Sequence, residues 1–128
     1  ALDGVWLKKA KKNDVVFLCL GTNDVFQVAI KERLTSSLGK IVDLLISEGI
    51  KVILITLPPF DQHGIFIDIW RSANEFIKTT LSKKVETVFD VVPVLCGDEP
   101  WQAKYGPHPN AEGCERWAEA LFEHLKNI

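Results

Sequence analysis

The feature that most restricts this chain is an uninterrupted apolar run, Val15-Val16-Phe17-Leu18-Cys19-Leu20, broken at once by Gly21. A strand with one wetted face alternates apolar and polar residues, whereas six apolar residues in succession suit a strand covered on both faces, as in parallel sheets. Residues 51–57 (KVILITL) repeat the pattern and stop at Pro58-Pro59. Residues 87–92 (TVFDVV) are a weaker third instance, interrupted by Asp90 and closed by Pro93.

Between these runs the apolar period changes. Leu34, Leu38, Ile41 and Leu45 are spaced four, three and four apart, which is one face of an α-helix, and Gly49 is placed to cap its C-terminus. Residues 67–81 place Trp70, Ala73, Phe76, Ile77 and Leu81 at helical spacing. A last helix carries a stripe of Cys114, Trp117, Ala118, Leu121, Phe122 and Leu125, with charged residues and His124 on the other side and Asn110 as N-cap. Residues 2–9 read as the tail of a further helix, with Asn13-Asp14 turning the chain into the first strand. Strands alternating with helices of these lengths predict right-handed βαβ crossovers. The expected architecture is an α/β three-layer sandwich with a parallel sheet, in one domain spanning residues 1–128.

Composition removes several function classes. A formal charge of −2 and four lysines (Lys8, Lys9, Lys11, Lys12) without interleaved aromatic residues describe a solvated helix end and turn, not a nucleic-acid surface. No apolar run reaches the ~18 residues of a membrane span. Three cysteines form no complete disulfide framework, and Cys19 and Cys114 are expected to be buried small hydrophobes. Their odd number leans toward a reducing compartment such as the cytoplasm. No Cys/His spacing resembles a zinc site, and Gly21 is the only glycine of its loop, so no phosphate cradle is present.

In open α/β sheets ligands bind beyond the carboxyl ends of the strands. Three segments fall there: Gly21-Thr22-Asn23-Asp24, Pro58-Pro59-Phe60-Asp61, and the stretch from Cys96 to Asn110. Gly-Thr-Asn-Asp reads either as a turn closed by Asx hydrogen bonds or as a site where the Asn23 amide meets an oxyanion; such donors are worth ~3 kcal/mol of barrier. His108 stands between Pro107 and Pro109, which restrict the backbone around a candidate general base. A loop histidine with no chemical role fits the same residues. His63 and His124 read as surface residues.

Taken together, VVFLCL running into GTND, the strand ILITLPP, and HPNAEG entering an amphipathic helix resemble the SGNH (GDSL-like) hydrolase family. Asn23 and His108 are 85 positions apart, in the order of the family's third and fifth blocks. The resemblance implies a flavodoxin-like SGNH fold and an ester hydrolase or acylhydrolase working through an acyl-enzyme. Esters, including small O-acyl groups on carbohydrates, are the implied substrates, and no cofactor is implied. Asn23 then takes the place of the oxyanion-hole amide, Gly21 that of the glycine shaping its loop, and His108 that of the general base.

The sequence departs from the family in two ways. It has neither the Gly-Asp-Ser block that carries the nucleophile nor the glycine block after it. All five serines (Ser36, Ser37, Ser47, Ser72, Ser82) fall in or at the ends of expected helices. The expectation is therefore that the serine nucleophile and the N-terminal strand or strands precede this sequence. Without them, the strand at Val15 to Leu20 would expose an apolar edge, which invites self-association. Second, the family's Asp three residues before the histidine is Tyr105 here. Asp98 or Glu99 could orient the imidazole instead. Otherwise a backbone carbonyl would have to orient His108, or the site is impaired. Tyr105 and the absent serine both favour the alternative of an inactive SGNH-like binding or interaction module. Two further readings are a flavodoxin-like domain binding a small molecule and a hydrolase pairing Cys96 with His108.

Overall fold

The computed structural model describes residues 11–20, 31–59, 65–95 and 109–127. Three strands, β1 (Val15–Leu18), β2 (Lys51–Ile55) and β3 (Thr87–Phe89), form one sheet in the order β1-β2-β3, and both pairings are parallel. Helix α1 (Lys31–Ser47) lies between β1 and β2 in the chain, and α2 (Ile65–Thr79) between β2 and β3; a 3₁₀ turn, Leu81–Lys83, follows α2. After β3 come a short helix α3 (Val92–Leu95) and the long α4 (Ala111–Lys126). The α/β architecture expected from the apolar periods is the one observed.

Each local boundary has its cause in the sequence. Asn13 takes the left-handed conformation (φ 74°), and the carbonyl of Asp14 then accepts the N–H of Lys51 at 2.9 Å, setting the β1–β2 register. Gly49 ends α1 with φ 75°, and a Cβ there would come within 2.9 Å of the Lys12 side chain. Asn110 caps α4, its Oδ1 accepting the Gly113 N–H at 2.8 Å. Both caps are where their residue types predicted them.

Alternation along the strands divides the apolar core between the two faces of the sheet. Val52 and Leu54 join Leu34, Leu38, Ile41, Val42 and Leu45 of α1 and Ile69, Ala73 and Ile77 of α2 in one cluster. Ile55 and Phe89 point the other way and meet Val91, Leu95 and, from α4, Trp117, Ala120 and Leu121. Helices thus cover both faces. At ~1.5–3 kcal/mol for each large apolar side chain fully buried, this sandwich rather than any single bond holds the fold.

Four expectations require correction. The 15–20 run is not covered on both faces: Val15 and Phe17 are 49% and 51% exposed, while Leu18 is buried. β1 ends its side of the sheet among the described residues, and α4 packs over β2 and β3 instead. The third strand stops at Phe89, because Asp90 turns its carboxylate to the Val92 N–H (3.1 Å) and starts α3. Pro93 is accommodated in the first turn of that helix, where no intrahelical N–H bond is needed. Finally, α4 is rotated from its expected stripe. Cys114, Ala118 and Phe122 are exposed, while Gly113 is buried and Trp117, Ala120, Leu121 and His124 face the sheet in part. His124, expected on the polar side, bonds the Thr87 hydroxyl at 2.9 Å and packs on Phe89 with ring centroids 5.3 Å apart. Phe122 instead lies under the Lys126 ammonium at 4.6 Å.

Candidate active site at the carboxyl rim of the sheet

The three parallel strands end along one rim, and the described chain leaves or returns there repeatedly. β1 continues to Leu20, which is partly exposed. β2 continues through Thr56 and Leu57 to Pro58, all three buried. β3 runs into Asp90 and α3. Helix α4 runs back against the strands: His124 near its C-terminus touches Thr87 at the start of β3, and Arg116 Nε donates to the Val94 carbonyl at 3.3 Å, beyond the end of β3. The N-terminus of α4, with Pro109 and Asn110 before it, therefore projects to the rim.

Polar groups at this rim are paired, and two of them, Thr56 and Asn74, are buried. The Asn74 side chain of α2 brackets Leu57, accepting its N–H at 2.7 Å and donating to its carbonyl at 3.1 Å. Trp70 donates its indole N–H to the carbonyls of Leu57 and Pro58 at 3.1 and 3.2 Å. Thr56, fully buried, donates its hydroxyl to Asp90 Oδ1 at 2.9 Å and accepts the Val91 N–H at 3.0 Å. Lys78 stands 3.8 Å from the other Asp90 oxygen. The Cys19 thiol donates to the Thr56 carbonyl at 3.6 Å, and burial pushes its pKa up to about 11. It is a neutral thiol at physiological pH, with none of the thiolate character a nucleophile needs. A cleft of about 920 Å³ opens beside α2, with Trp70, Asn74, Lys78, Asp90, Val92 and Pro93 among its walls.

Of the residues nominated from sequence, Gly21, Asn23, Asp98 and His108 lie outside the described residues, as do Cys96, Tyr105 and His63. The nearest described neighbours of Asn23 and His108 in the chain are Leu20 and Pro109. The five serines are all described: Ser36, Ser37 and Ser47 in α1, Ser72 in α2 and Ser82 in the 3₁₀ turn, none of them at a strand's carboxyl end. Sequence reasoning missed Thr56, Asp90 and Asn74. The first two had a legible signal, as polar residues at the ends of otherwise apolar strands (ILIT, TVFD); Asn74, within a helical repeat, had none.

Among the described residues, a short parallel sheet with helices on both faces defines an α/β protein. Residues 1–116 match the GDSL-like lipase/acylhydrolase family, and the chain belongs to it. No curated protein matches the sequence. Among the described residues, no helix is long and apolar enough to cross a membrane, and no group of three or more His, Cys, Asp or Glu side chains is arranged to hold a metal ion.

Proposed function

We propose that this chain supplies the oxyanion amide and the general base of a serine ester hydrolase. In this reading a serine outside the 128 residues attacks the ester carbonyl while His108 takes its proton. The Asn23 amide donates to the oxyanion of the tetrahedral intermediate. Collapse of that intermediate expels the alcohol, which takes the proton back from His108, and leaves an acyl-enzyme; water, activated by the same base, then releases the acid. Small esters, including O-acyl groups on carbohydrates, are the proposed substrates.

The observation that carries the reading is that Leu20 and Pro109 emerge at one rim of one sheet. Asn23 follows Leu20 by three positions and His108 precedes Pro109 by one, and this short spacing supports the reading, since three residues of extended chain span at most ~11 Å. The test is turnover of p-nitrophenyl acetate by the full-length protein and its His108→Ala variant. A loss of about two orders of magnitude or more is expected for a general base, and unchanged turnover removes His108 from the mechanism.

A second reading rests on Tyr105, which stands where the family has an aspartate. A phenol carries no charge to stabilise an imidazolium, and a misoriented base is costly. On that reading the protein binds esters or glycans without hydrolysing them, and Asp98 does not take over the missing role. Failure of the full-length protein to label with a fluorophosphonate probe would favour it.

A further inference from the structure

Two side chains in the wall of the cleft beside α2 are each fixed at one end and open at the other. Asp90 follows β3, and its Oδ1 accepts the Thr56 hydroxyl at 2.9 Å and the Val92 N–H at 3.1 Å. Its Oδ2 faces the Lys78 ammonium at 3.8 Å, beyond hydrogen-bond length, and both side chains are partly exposed. A carboxylate accepts at two oxygens and an ammonium has three protons to donate, so Oδ2 and Nζ keep bonding capacity for a ligand set between them. Trp70 is anchored in the same manner. Its indole N–H is committed to the carbonyls of Leu57 and Pro58 at 3.1 and 3.2 Å, so what it offers the cleft is ring carbon. Phe76, Val92 and Pro93 add apolar wall.

Charge and polarity then select the ligand. Among the described lining residues, Arg71 and Lys78 stand against Glu75 and Asp90, so the cleft favours neither an anion nor a cation. A wholly apolar ligand would take water from Asp90 and Lys78 and return no hydrogen bond, which is costly for charged groups. A sugar ring meets both demands. One hydroxyl can donate to Oδ2 and accept from Nζ, while C–H groups of the ring lie on the indole. We propose that this cleft binds neutral carbohydrate, with Asp90 and Lys78 taking its hydroxyls and Trp70 the carbons of its ring. Anchors already held by the protein lower the ordering cost of binding, and a volume of about 920 Å³ is that of a small-molecule site. As the seat of the sugar half of an O-acylated substrate, the cleft rests on the hydrolase reading; the binding of carbohydrate does not.

The experiment titrates the protein with xylotriose, maltotriose and triacetylchitotriose, following the indole N–H signals by ¹⁵N NMR. Of the four tryptophans, Trp70 is assigned by the loss of its signal in Trp70→Phe. At least one of these neutral sugars should move the Trp70 signal and saturate at millimolar concentration. Asp90→Asn keeps an Oδ1 for Thr56 and Val92 but removes the acceptor at Oδ2, and should raise Kd about tenfold, the worth of one hydrogen bond to a charged group. Lys78→Ala, at an exposed position, should keep the fold and weaken binding by a similar factor. Should Asp90→Asn not fold, Lys78→Ala still decides. The anionic trigalacturonate should bind more weakly than the neutral sugars. The proposal is overturned if no neutral sugar moves the Trp70 signal, if a folded variant binds as the wild type does, or if trigalacturonate binds more tightly. These are binding measurements, so normal ester turnover by His108→Ala would end the catalytic reading and leave the carbohydrate site to stand or fall on the titration.

Discussion

Replacing Asn74 by alanine tests how the β2 end of the rim is held. Asn74 is 5% exposed and Leu57 is fully buried, and the two share hydrogen bonds of 2.7 and 3.1 Å. Without the side chain, the Leu57 carbonyl keeps the Trp70 indole as a donor, but its N–H loses its acceptor inside the core. An orphaned buried amide costs ~1–3 kcal/mol, and the vacated side-chain volume adds ~1 kcal/mol, so roughly 2–4 kcal/mol is expected in all. For a urea m-value of about 2 kcal/mol/M, the middle of the usual range, that becomes a fall in midpoint of about 1–2 M, with m unchanged. Asn74→Asp separates the two bonds: its carboxylate still accepts the Leu57 N–H but faces the Leu57 carbonyl with no proton to donate. It should also destabilise the protein, and lowering the pH toward the carboxylate pKa should reverse part of the loss. Trp70→Phe combined with Asn74→Ala should be non-additive, because both side chains donate to the same carbonyl. A shift below about 0.5 kcal/mol for Asn74→Ala, typical of surface substitutions, would refute this reasoning.

Two further perturbations follow from the structure. The Cys19 thiol ionises near its ordinary 9.0 when unfolded and at about 11 when folded, so its contribution is whole below pH 9 and is lost as the pH rises through 11. The difference is worth roughly 2–3 kcal/mol; urea midpoints measured from pH 8 to 11 should fall, and fall less in Cys19→Ala, whereas parallel profiles would contradict it. Val15 and Phe17 leave β1 with a half-exposed apolar side, so the 128-residue chain should associate as its concentration rises, and Phe17→Lys should weaken that association. Sedimentation velocity decides this, and a wild-type monomer at the highest concentration would remove the edge as a contact.

The expected strand runs and helix stripes matched the fold to different degrees. For α1, the sequence stripe and the buried face coincide at Leu34, Leu38, Ile41 and Leu45. For α4 the apolar stripe pointed to Cys114 and Phe122, yet Gly113 and His124 lie nearer the sheet. A hydroxyl on β3 and the ring of Phe89 supply partners that no hydropathy pattern contains. At the site, the sequence nominated Gly21, Asn23, Asp98 and His108 from their residue types and their place after strands or before a helix. It passed over Thr56, whose importance lies in bonds to Cys19 and Asp90.

What these residues determined by themselves was the succession of strands and helices, the caps at Gly49 and Asn110, and the alternation that makes the sheet parallel and clad by helices. All of these follow from backbone periods and dihedral preferences that act over a few neighbouring residues. Tertiary structure alone decided how far α4 is turned, which side of β1 stays exposed, and that one threonine joins the three strand ends. Those outcomes depend on partners 34 to 37 positions apart in the chain, and a contact across such a distance leaves no local period to read.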